Sequence, residues 1–424
     1  MSLVITFVLC LVIGVPIMAT IGMATLVPIL LEGKVPLTLI PQVLYTGVDQ
    51  FPLIAVSGFI LAGALMEAAD ITDRIIEVAR RVVGSFTGGL AAVTILACAI
   101  FAALSGSGPA TTAAIGSLAI PMMTRFNYDK NFAAGVSSAG GALGILIPPS
   151  NPMIIYGVTA NISVAKMFMA GFVPGIFVTL VLILTAIMVS RKKGYTGTGE
   201  GFSLKKTFQA IWDGRWALLA PLIILGGIYG GVFTPTEAAE IAVIYSFFVG
   251  TVIYRKLTPA KIYKALVDAS LMTGTIIVIV GIAVAFGRLL TLYRIPQTVA
   301  AAIQSISSNP QVVLLLISAL LLFIGTWMET LSQVIVLTPI FLPLVQSLGI
   351  DPIHFGIIFV LWCEIGFLTP PLGANLYVAT KLANISLEEV TSGIFPFLIA
   401  YIICVLIIIF FPQITLWLPN LLMP

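Results

Sequence analysis

The chain has 424 residues, of which 59% are hydrophobic and 9% are charged, and its mean hydropathy is +1.15. Soluble domains carry roughly 25% charged residues, so this composition excludes a soluble globular protein. Apolar runs of about 20 residues recur throughout the chain and leave room for roughly ten to fourteen membrane crossings. The net charge of +3 is grouped in loops and offers no surface for nucleic acid. We therefore predict an all-α polytopic protein of the lipid bilayer.

The first apolar run, residues 3–13, has no basic leader and no small-residue cleavage pattern, which favours a membrane anchor over a removed signal peptide. The Gly14-Val15-Pro16 stretch that follows is compatible both with a kink in one helix and with two short helices. A later amphipathic stretch is expected to lie along the cytoplasmic interface as an arm of a scaffold. Its charged residues are Arg74, Glu77, Arg80 and Arg81.

Residues 86–124 are apolar except for a stretch of turn-forming and hydroxyl residues from Ser105 to Thr112. This stretch is too polar to face lipid. It predicts a re-entrant helical hairpin with a polar tip, and two complete crossings remain the alternative, because both arrangements give the same sidedness.

Prolines interrupt the next apolar segment, between Gly144 and Pro152, and two of them are adjacent at Pro148-Pro149. Adjacent prolines remove two amide donors and leave preceding carbonyls without partners. Such carbonyls are tolerated at membrane depth only where protein, water or an ion binds them. Carbonyls and hydroxyls together suit a hard cation such as Na⁺, while the helix N-termini at Thr111 and Ser150-Asn151 favour an anion.

The chain contains an internal repeat. Four of the six prolines in residues 101–174 coincide with a proline 222 positions later, where chance would give well under one match. The second half accordingly repeats the hairpin at residues 325–330 and the broken helix at residues 366–375. Broken helices at matching positions of two halves are the typical sequence sign of a transporter's midplane site. The matched positions are Pro121 with Pro343, Pro148-Pro149 with Pro370-Pro371, Pro174 with Pro396, and Gly144 with Gly366.

Basic residues indicate that the two halves have opposite orientations. The loop with Arg125 and Lys130 is basic, whereas its counterpart at residues 347–352 carries no basic residue. Conversely, the connection at residues 255–264 carries four basic residues, and its first-half counterpart has only Lys34. Since basic loops stay on the cytoplasmic side, we predict two inverted repeats with a periplasmic C-terminus at residues 418–424.

This interpretation divides the chain into a first inverted repeat, a cytoplasmic connection and a second inverted repeat, at residues 1–195, 196–215 and 216–424. Each repeat is expected to begin with scaffold helices, continue with the hairpin and broken helix of a transport part, and end with one further helix. The predicted ranges are 1–85, 86–160 and 168–190 in the first repeat, and 216–295, 311–385 and 393–418 in the second.

No energy source for transport is visible within the chain. The only Gly-Lys pair, Gly33-Lys34, is followed by Val35 and does not complete a phosphate-binding loop. Four cysteines without CxxC spacing and a single histidine, His354, indicate no metal or haem site. The sequence shows no Ser/His, His/Glu or paired-Asp constellation of the kind that indicates an enzyme. We therefore expect transport within the membrane and no catalysis.

The hairpin, the broken helices and neighbouring segments carry distinctive motifs: SGSGPATTAAIG (105–116), RFNYDKNFAAGV (125–136), GILIPPSNPMIIYG (144–157), GVFTPTEAAEIAV (231–243) and EIGFLTPPLGANLYVAT (364–380). Across essentially the whole chain, the sequence resembles the large membrane (M) subunit of TRAP (tripartite ATP-independent periplasmic) transporters. The resemblance implies a Na⁺-driven importer of an organic acid, such as sialic acid or a C4-dicarboxylate, in the bacterial inner membrane. It also implies a small four-helix membrane partner (Q), a periplasmic substrate-binding partner (P) and an elevator mechanism.

The resemblance further implies which residues bind ions and substrate. A first Na⁺ site would use Ser105, Ser107, Gly144, Ile147 and Pro149, largely through main-chain carbonyls, and a second would use Gly325, Thr326, Gly366, Thr369 and Leu372. Substrate contacts would come from Ser105, Ser150, Asn151 and the acid of the second hairpin, Glu329, where many members of the family carry Asp. Two matched sites suggest at least two Na⁺ per cycle, and no organic cofactor is expected.

Acidic residues in or beside apolar segments support an alternative, a stand-alone proton-coupled anion transporter or exchanger of related fold. For two of them, Glu237 and Glu240, their place after Pro235 at the start of a helix also allows a capping role. A strict requirement for Na⁺ and a binding protein would distinguish the two functions. The other acids are Glu67, Asp268, Glu329 and Glu364.

Overall fold

The computed structural model describes residues 2–33, 35–83, 86–197 and 203–423, and within these ranges the chain forms helices and no β-strand. The prediction of an all-α fold is confirmed. Lys34 and Pro424, which entered the orientation argument, and the segment boundaries near residues 84–85 and 198–202 lie outside the described residues.

The first half begins with two short helices, because Gly14 has a φ of +81° and ends the first of them. The helices up to residue 193 are α1 (Ser2–Val12), α2 (Ile17–Glu32), α3 (Leu39–Val48), α4 (Pro52–Ala68), α5 (Ile71–Val83), α6 (Gly89–Ser105), α7 (Gly108–Arg125), α8 (Lys130–Leu146), α9 (Asn151–Ala160) and α10 (Val164–Lys193). The predicted amphipathic stretch is α5, where Glu77 accepts hydrogen bonds from Arg80 and Arg81 at 2.9 and 2.8 Å.

The rest of the chain begins with a short amphipathic helix and contains one five-residue π-helix. Its elements are α11 (Leu204–Asp213), α12 (Arg215–Tyr229), α13 (Pro235–Phe248), the π-helix (Val249–Ile253), α14 (Pro259–Leu292), α15 (Ile295–Gln304), α16 (Pro310–Gly325), α17 (Thr330–Ser347), α18 (Pro352–Phe367), α19 (Ala374–Ala383), α20 (Leu387–Phe410) and α21 (Gln413–Leu422).

The helices reproduce the repeat that the prolines indicate. Shifting α7 by 222 residues gives the bounds of α17, and the same shift brings α6, α8 and α9 to within two residues of α16, α18 and α19. The long helices α10 and α20, which follow the broken helices, begin at positions that differ by one residue after the shift. The two halves are therefore built from the same five-helix unit: a hairpin, a broken helix and a long helix.

The number of crossings is lower than expected. Six helical segments of the described residues are long and apolar enough to cross a membrane, or up to eight if each of two bent helix pairs is one span. Five further apolar helices have at most 17 residues, whereas a crossing needs about 20. The estimate of ten to fourteen is wrong by this measure, because it divided the chain into about 30 to 40 residues per crossing, whereas several apolar helices are too short to cross.

The centre of the molecule is α8, which packs against α6, α7, α19 and α20. Small residues allow this close helix packing. A Cβ atom on Gly135 would overlap the main chain of Gly393, so α8 and α20 meet backbone to backbone. The hydroxyl of Tyr401 on α20 also donates a hydrogen bond to the carbonyl of Ala139 at 3.0 Å. The two repeats therefore interlock around the first broken helix.

Candidate functional site

The tip of the first hairpin is a short turn held by hydroxyl groups. Gly106 has a φ of +59°, which allows α6 to end at Ser105 and α7 to begin at Gly108. The Ser105 and Thr111 hydroxyls lie 2.6 Å apart, and the carbonyl of Ser107 accepts a hydrogen bond from the Thr111 hydroxyl at 2.8 Å. The turn thus places two serines at the N-terminus of α7.

The break between α8 and α9 is buried. The Pro148-Pro149 peptide bond is cis, and Ser150 caps α9 by accepting a hydrogen bond from the Met153 amide at 3.5 Å. The Ser150 hydroxyl donates in turn to the Ile145 carbonyl of α8. Only 1% of Ser150 and 4% of Asn151 are exposed. The α9 N-terminus is therefore held inside the protein.

The hairpin tip and the helix break lie directly against each other. A Cβ atom on Gly144 would overlap the carbonyl of Ser107, and one on Gly106 would lie 3.1 Å from the Pro149 carbonyl oxygen. Ile147, the C-cap residue of α8, lies between Gly144 and Pro149 in the sequence. The structure thus brings together the five residues of the first predicted Na⁺ site.

The second half repeats this contact. A Cβ atom on Gly366 would lie 2.5 Å from the Gly325 carbonyl oxygen, so the broken helix again touches the hairpin tip. The Leu372 amide donates a hydrogen bond to the Thr326 carbonyl at 2.8 Å, and the Thr369 amide donates to the Gly366 carbonyl at 3.1 Å. The five residues of the second predicted Na⁺ site are also neighbours.

A cavity of about 480 Å³ opens beside the first hairpin tip. The N-termini of α7 and α9 reach it, and their partial positive charges favour an anion. The Asn151 Oδ1 atom is buried and has no hydrogen-bond partner among the described residues, so it is available to a ligand. The polar lining comes from Ser105, Ser107 and Asn151 on one wall and from Glu67, Asp70, Lys261, Lys264 and Asp268 on the other.

The residues predicted for substrate binding do not all meet at this cavity. Ser105 and Asn151 line it, and Ser150 lies behind them with its hydroxyl bound to α8. Glu329 is absent from the described residues of the lining. It caps α17 in the second hairpin, where its Oε2 atom accepts hydrogen bonds from the Leu331 and Ser332 amides at 3.0 and 3.2 Å.

Two lysines of the cavity, Lys261 and Lys264, escaped the sequence reasoning, which used them only to assign orientation. The neighbouring Lys261 donates hydrogen bonds to the Ala68 carbonyl at 2.8 Å and to Asp70 at 3.4 Å. In contrast, none of the ion pairs among the described residues includes Lys264. The three- and four-residue spacing of Lys261, Lys264 and Asp268 puts them on one helix face, and this signal could have revealed the charged wall.

Glu237 has the capping role that its position after Pro235 allows. Its carboxylate accepts a hydrogen bond from the Thr234 amide at 2.8 Å, and its own amide donates to the Thr234 hydroxyl at 3.3 Å. This reciprocal pair is a capping box, which satisfies two amides at the start of α13. The capping interpretation is confirmed for this residue.

The family model described as "Tripartite ATP-independent periplasmic transporter, DctM component" matches residues 4–414. The chain belongs to this family. The DctM-family chain is 37% identical over 408 residues to the sialic acid TRAP transporter large permease protein SiaM of Vibrio cholerae, covering 96% of this chain and 95% of that protein. It is 40% identical over 372 residues to the C4-dicarboxylate large permease DctM of Pseudomonas aeruginosa, covering 88% and 87%.

A further relative of this DctM-family chain is longer. The isethionate TRAP transporter permease protein DctMQ of Oleidesulfovibrio alaskensis is 44% identical over 402 residues, which cover 95% of this chain and 63% of that protein. The chain thus spans less than two thirds of this relative. All three relatives are named as permeases of transporters.

A solved structure supports the fold of the DctM-family chain. The Alcanivorax borkumensis YdaH transporter, whose crystal structure is described as having an unusual topology, superposes with a TM-score of 0.65 at 14% sequence identity. The match covers 88% of this chain and 86% of that chain. At this identity the likeness concerns the fold alone.

Proposed function

We propose that this chain is the large membrane subunit of a Na⁺-coupled importer of an organic anion, in the bacterial inner membrane. A small Q subunit and a periplasmic binding protein P would complete the tripartite transporter. The observation that carries the proposal is the duplicated contact between a hairpin tip and a broken helix, one copy of which lines a cavity. The family supports it, because its model describes an ATP-independent transporter.

The two duplicated contacts are the proposed Na⁺ sites. Their donors are main-chain carbonyls at helix breaks and hydroxyls such as those of Ser105 and Thr326, which are the hard oxygen ligands that Na⁺ prefers. None of the four hairpin and break stretches contains Lys or Arg. Bound Na⁺ would therefore supply positive charge beside the substrate anion, and each would favour binding of the other.

The proposed substrate is a small anion with a carboxylate or sulfonate group. Its negative charge would lie at the N-termini of α7 and α9, with Ser105 and Asn151 as hydrogen-bonding groups. Relatives named for sialic acid, C4-dicarboxylates and isethionate share this framework. Because these solutes differ in size and charge, we assign the choice among them to the binding protein.

The position of the cavity supports an elevator mechanism. It lies between the hairpin tip of the transport part and two helices of the scaffold, α4 and α14. Lys264 on its wall belongs to the basic connection at residues 255–264, which the positive-inside rule assigns to the cytoplasm. The described conformation would then face inward and release substrate. The C-terminus would lie in the periplasm.

Uptake by proteoliposomes tests this function. The chain and its Q subunit would be reconstituted, and labelled isethionate, sialic acid and succinate would be offered with binding protein and an inward Na⁺ gradient each present or omitted. We expect uptake of one of these anions only when both are present. Uptake driven by a proton gradient without binding protein would reject the proposal and support the stand-alone transporter.

A further inference from the structure

A second buried polar cluster lies behind the first hairpin tip and includes Glu364 of α18. None of Glu364 is exposed, and its Oε1 atom accepts a hydrogen bond from the Asn375 side-chain amide at 3.0 Å. Both the Glu364 Oε2 atom and the Asn375 Oδ1 atom are buried without a hydrogen-bond partner among the described residues. Two side-chain oxygens of one pair are thus left for a ligand.

This pair from the second repeat touches the first one. A Cβ atom on Gly108, the first residue of α7, would lie 3.0 Å from Glu364 Oε1 and 3.1 Å from Asn375 Oδ1. The Asn375 side-chain amide also donates to the Ser138 carbonyl of α8, and the Ser138 hydroxyl donates to the Asn375 carbonyl, both at 3.4 Å. Four helices, α7, α8, α18 and α19, therefore meet at the pair, next to the serines of the hairpin tip.

An ionised Glu364 would need a positive charge beside it. None of the ion pairs or hydrogen bonds of the described residues joins Glu364 to Lys, Arg or His. An ionised carboxylate without a counter-charge is very unfavourable inside a membrane protein. Glu364 also lies in the last turn of α18, where the helix dipole favours a cation. Carboxylate and amide oxygens are ligands of hard cations.

We propose that Glu364 and Asn375 form a third binding site for a monovalent cation, Na⁺, in addition to the two duplicated sites. The cation would lie against Glu364 Oε2 and Asn375 Oδ1. Because the pair contacts Gly108, occupancy would hold the first hairpin tip in the shape that binds the substrate anion. This inference rests on the proposed Na⁺-coupled import and raises its coupling number from two to three.

The site has no counterpart in the first half. The residues 222 positions earlier are Ala142 and Met153, both of which are 0% exposed and neither of which offers a hard oxygen ligand on its side chain. Duplication of an ancestral unit therefore does not account for the pair. A third cation would give this transporter a steeper dependence on Na⁺ than the duplicated sites alone provide.

The test is the Na⁺ coupling number of the reconstituted complex, measured as the Na⁺ gradient that just balances an opposing substrate gradient. We expect Glu364→Gln to lower the coupling number from three to two and the Hill coefficient for Na⁺ by about one. Asn375→Ala, which removes one ligand and keeps the carboxylate, should raise the half-saturating Na⁺ concentration about tenfold. Ser318→Ala, which removes a buried, unpartnered hydroxyl of α16, should change neither value.

Three outcomes are distinguishable. A Glu364→Gln variant with the coupling number of the wild type would overturn the third site, and would mean that a proton neutralises Glu364. A wild-type complex that ignores Na⁺ would overturn the proposed function itself. If Glu364→Gln does not fold, infrared spectra of the wild type and Asn375→Ala in Na⁺ and in choline decide: a carboxylate band of the wild type that Na⁺ does not move would reject the site.

Discussion

The two halves contain the same arrangement of helices, but corresponding positions at the hairpin tips and breaks carry different side chains. In the first half, the hairpin tip turns through Gly106 and is capped by Ser107, and the break beside it is almost fully buried. In the second half, Glu329 caps α17, and Trp327 of the tip is 54% exposed. The backbone framework is therefore duplicated, whereas the side chains that face a ligand are not.

The helix preceding each break shows the same divergence. In α8, glycines, alanines and serines allow α6, α7, α19 and α20 to pack closely. In α18, the corresponding positions carry bulky apolar residues together with His354 and Glu364, both buried. The comparison teaches that the first half provides the closely packed helix break beside the cavity, whereas the second half places a buried ionisable residue, Glu364, behind the hairpin tip.

The largest expected effect comes from filling the contact that both halves share. Gly144→Ala and Gly366→Ala would each place a methyl group against a hairpin-tip carbonyl, and we expect each to abolish most uptake and to destabilise the protein by about 1–3 kcal/mol. Gly144→Ala should be the more severe, because it also meets the Thr111 hydroxyl at 2.7 Å.

Gly226→Ala is the matched control for these glycine variants. It lies within α12, and no heavy atom lies within 4 Å of the added Cβ atom. Uptake and thermal unfolding of the purified protein are the measurements. Equal effects of all three substitutions would contradict the role of close approach at the two breaks.

The hydroxyls of the two hairpin tips should differ in importance. Ser105→Ala removes a bond to Thr111 and a polar atom of the cavity, so we expect the half-saturating Na⁺ concentration to rise about fivefold to tenfold, as for the loss of about 1 kcal/mol. Thr326→Ala should have less effect, because its hydroxyl already donates to the Phe323 carbonyl at 2.8 Å. Na⁺ titration of uptake measures both, and a larger effect of Thr326→Ala would reverse the comparison.

The charged wall of the cavity lies opposite the first hairpin tip, so its residues bear on the first half's site. We expect Lys264→Gln to raise the substrate KM several-fold while changing the maximal rate less, because Lys264 places a positive charge in the cavity lining. Lys256→Gln is the control, since Lys256 lies in the same basic connection but does not line this cavity. Concentration dependence of uptake separates KM from rate, and equal KM values for the two variants would rule out a contact of Lys264 with substrate.

The smallest effect concerns Asp129 and Asp351, which precede α8 and α18 at matched positions. The hydrogen bond from Lys193, 2.8 Å from Asp129, lowers the pKa of Asp129 below its ordinary value of 3.8. A lowered pKa stabilises the folded state above the ordinary value and loses that contribution as the pH falls through the lowered one. Asp129→Asn should therefore cost only a few tenths of a kcal/mol at neutral pH, and its difference from the wild type should shrink below about pH 4 and vanish below the lowered pKa.

Asp351 is expected to contribute more than Asp129. Its carboxylate caps α18 by accepting a hydrogen bond from the Ile353 amide at 2.7 Å, and Asp351→Ala should cost about 1 kcal/mol. Thermal unfolding across pH compares the two variants. A pH-independent loss in Asp129→Asn would mean that its ion pair with Lys193 does not stabilise the folded state.

Much of this architecture was present in the sequence. The low content of charged residues excluded a soluble fold, and the spacing of prolines predicted the register at which α7 maps onto α17. The hairpin tips and breaks were predictable because glycine, proline and hydroxyl residues act on the backbone within a few residues of themselves. The residues of each predicted Na⁺ set are neighbours because a hairpin tip packs against a break, and local chemistry does not encode that contact.

Only the tertiary structure decided which side chains meet across the two halves. Glu364 and Asn375 reach Gly108, more than 250 residues earlier, and Lys264 of α14 lines the same cavity as Ser105. Glu329 caps its own helix instead of lining the cavity. Such contacts depend on how helices rotate and cross when they pack, and local spacing does not encode this. Sequence periodicity and turn chemistry thus determined the elements, whereas long-range packing determined the site.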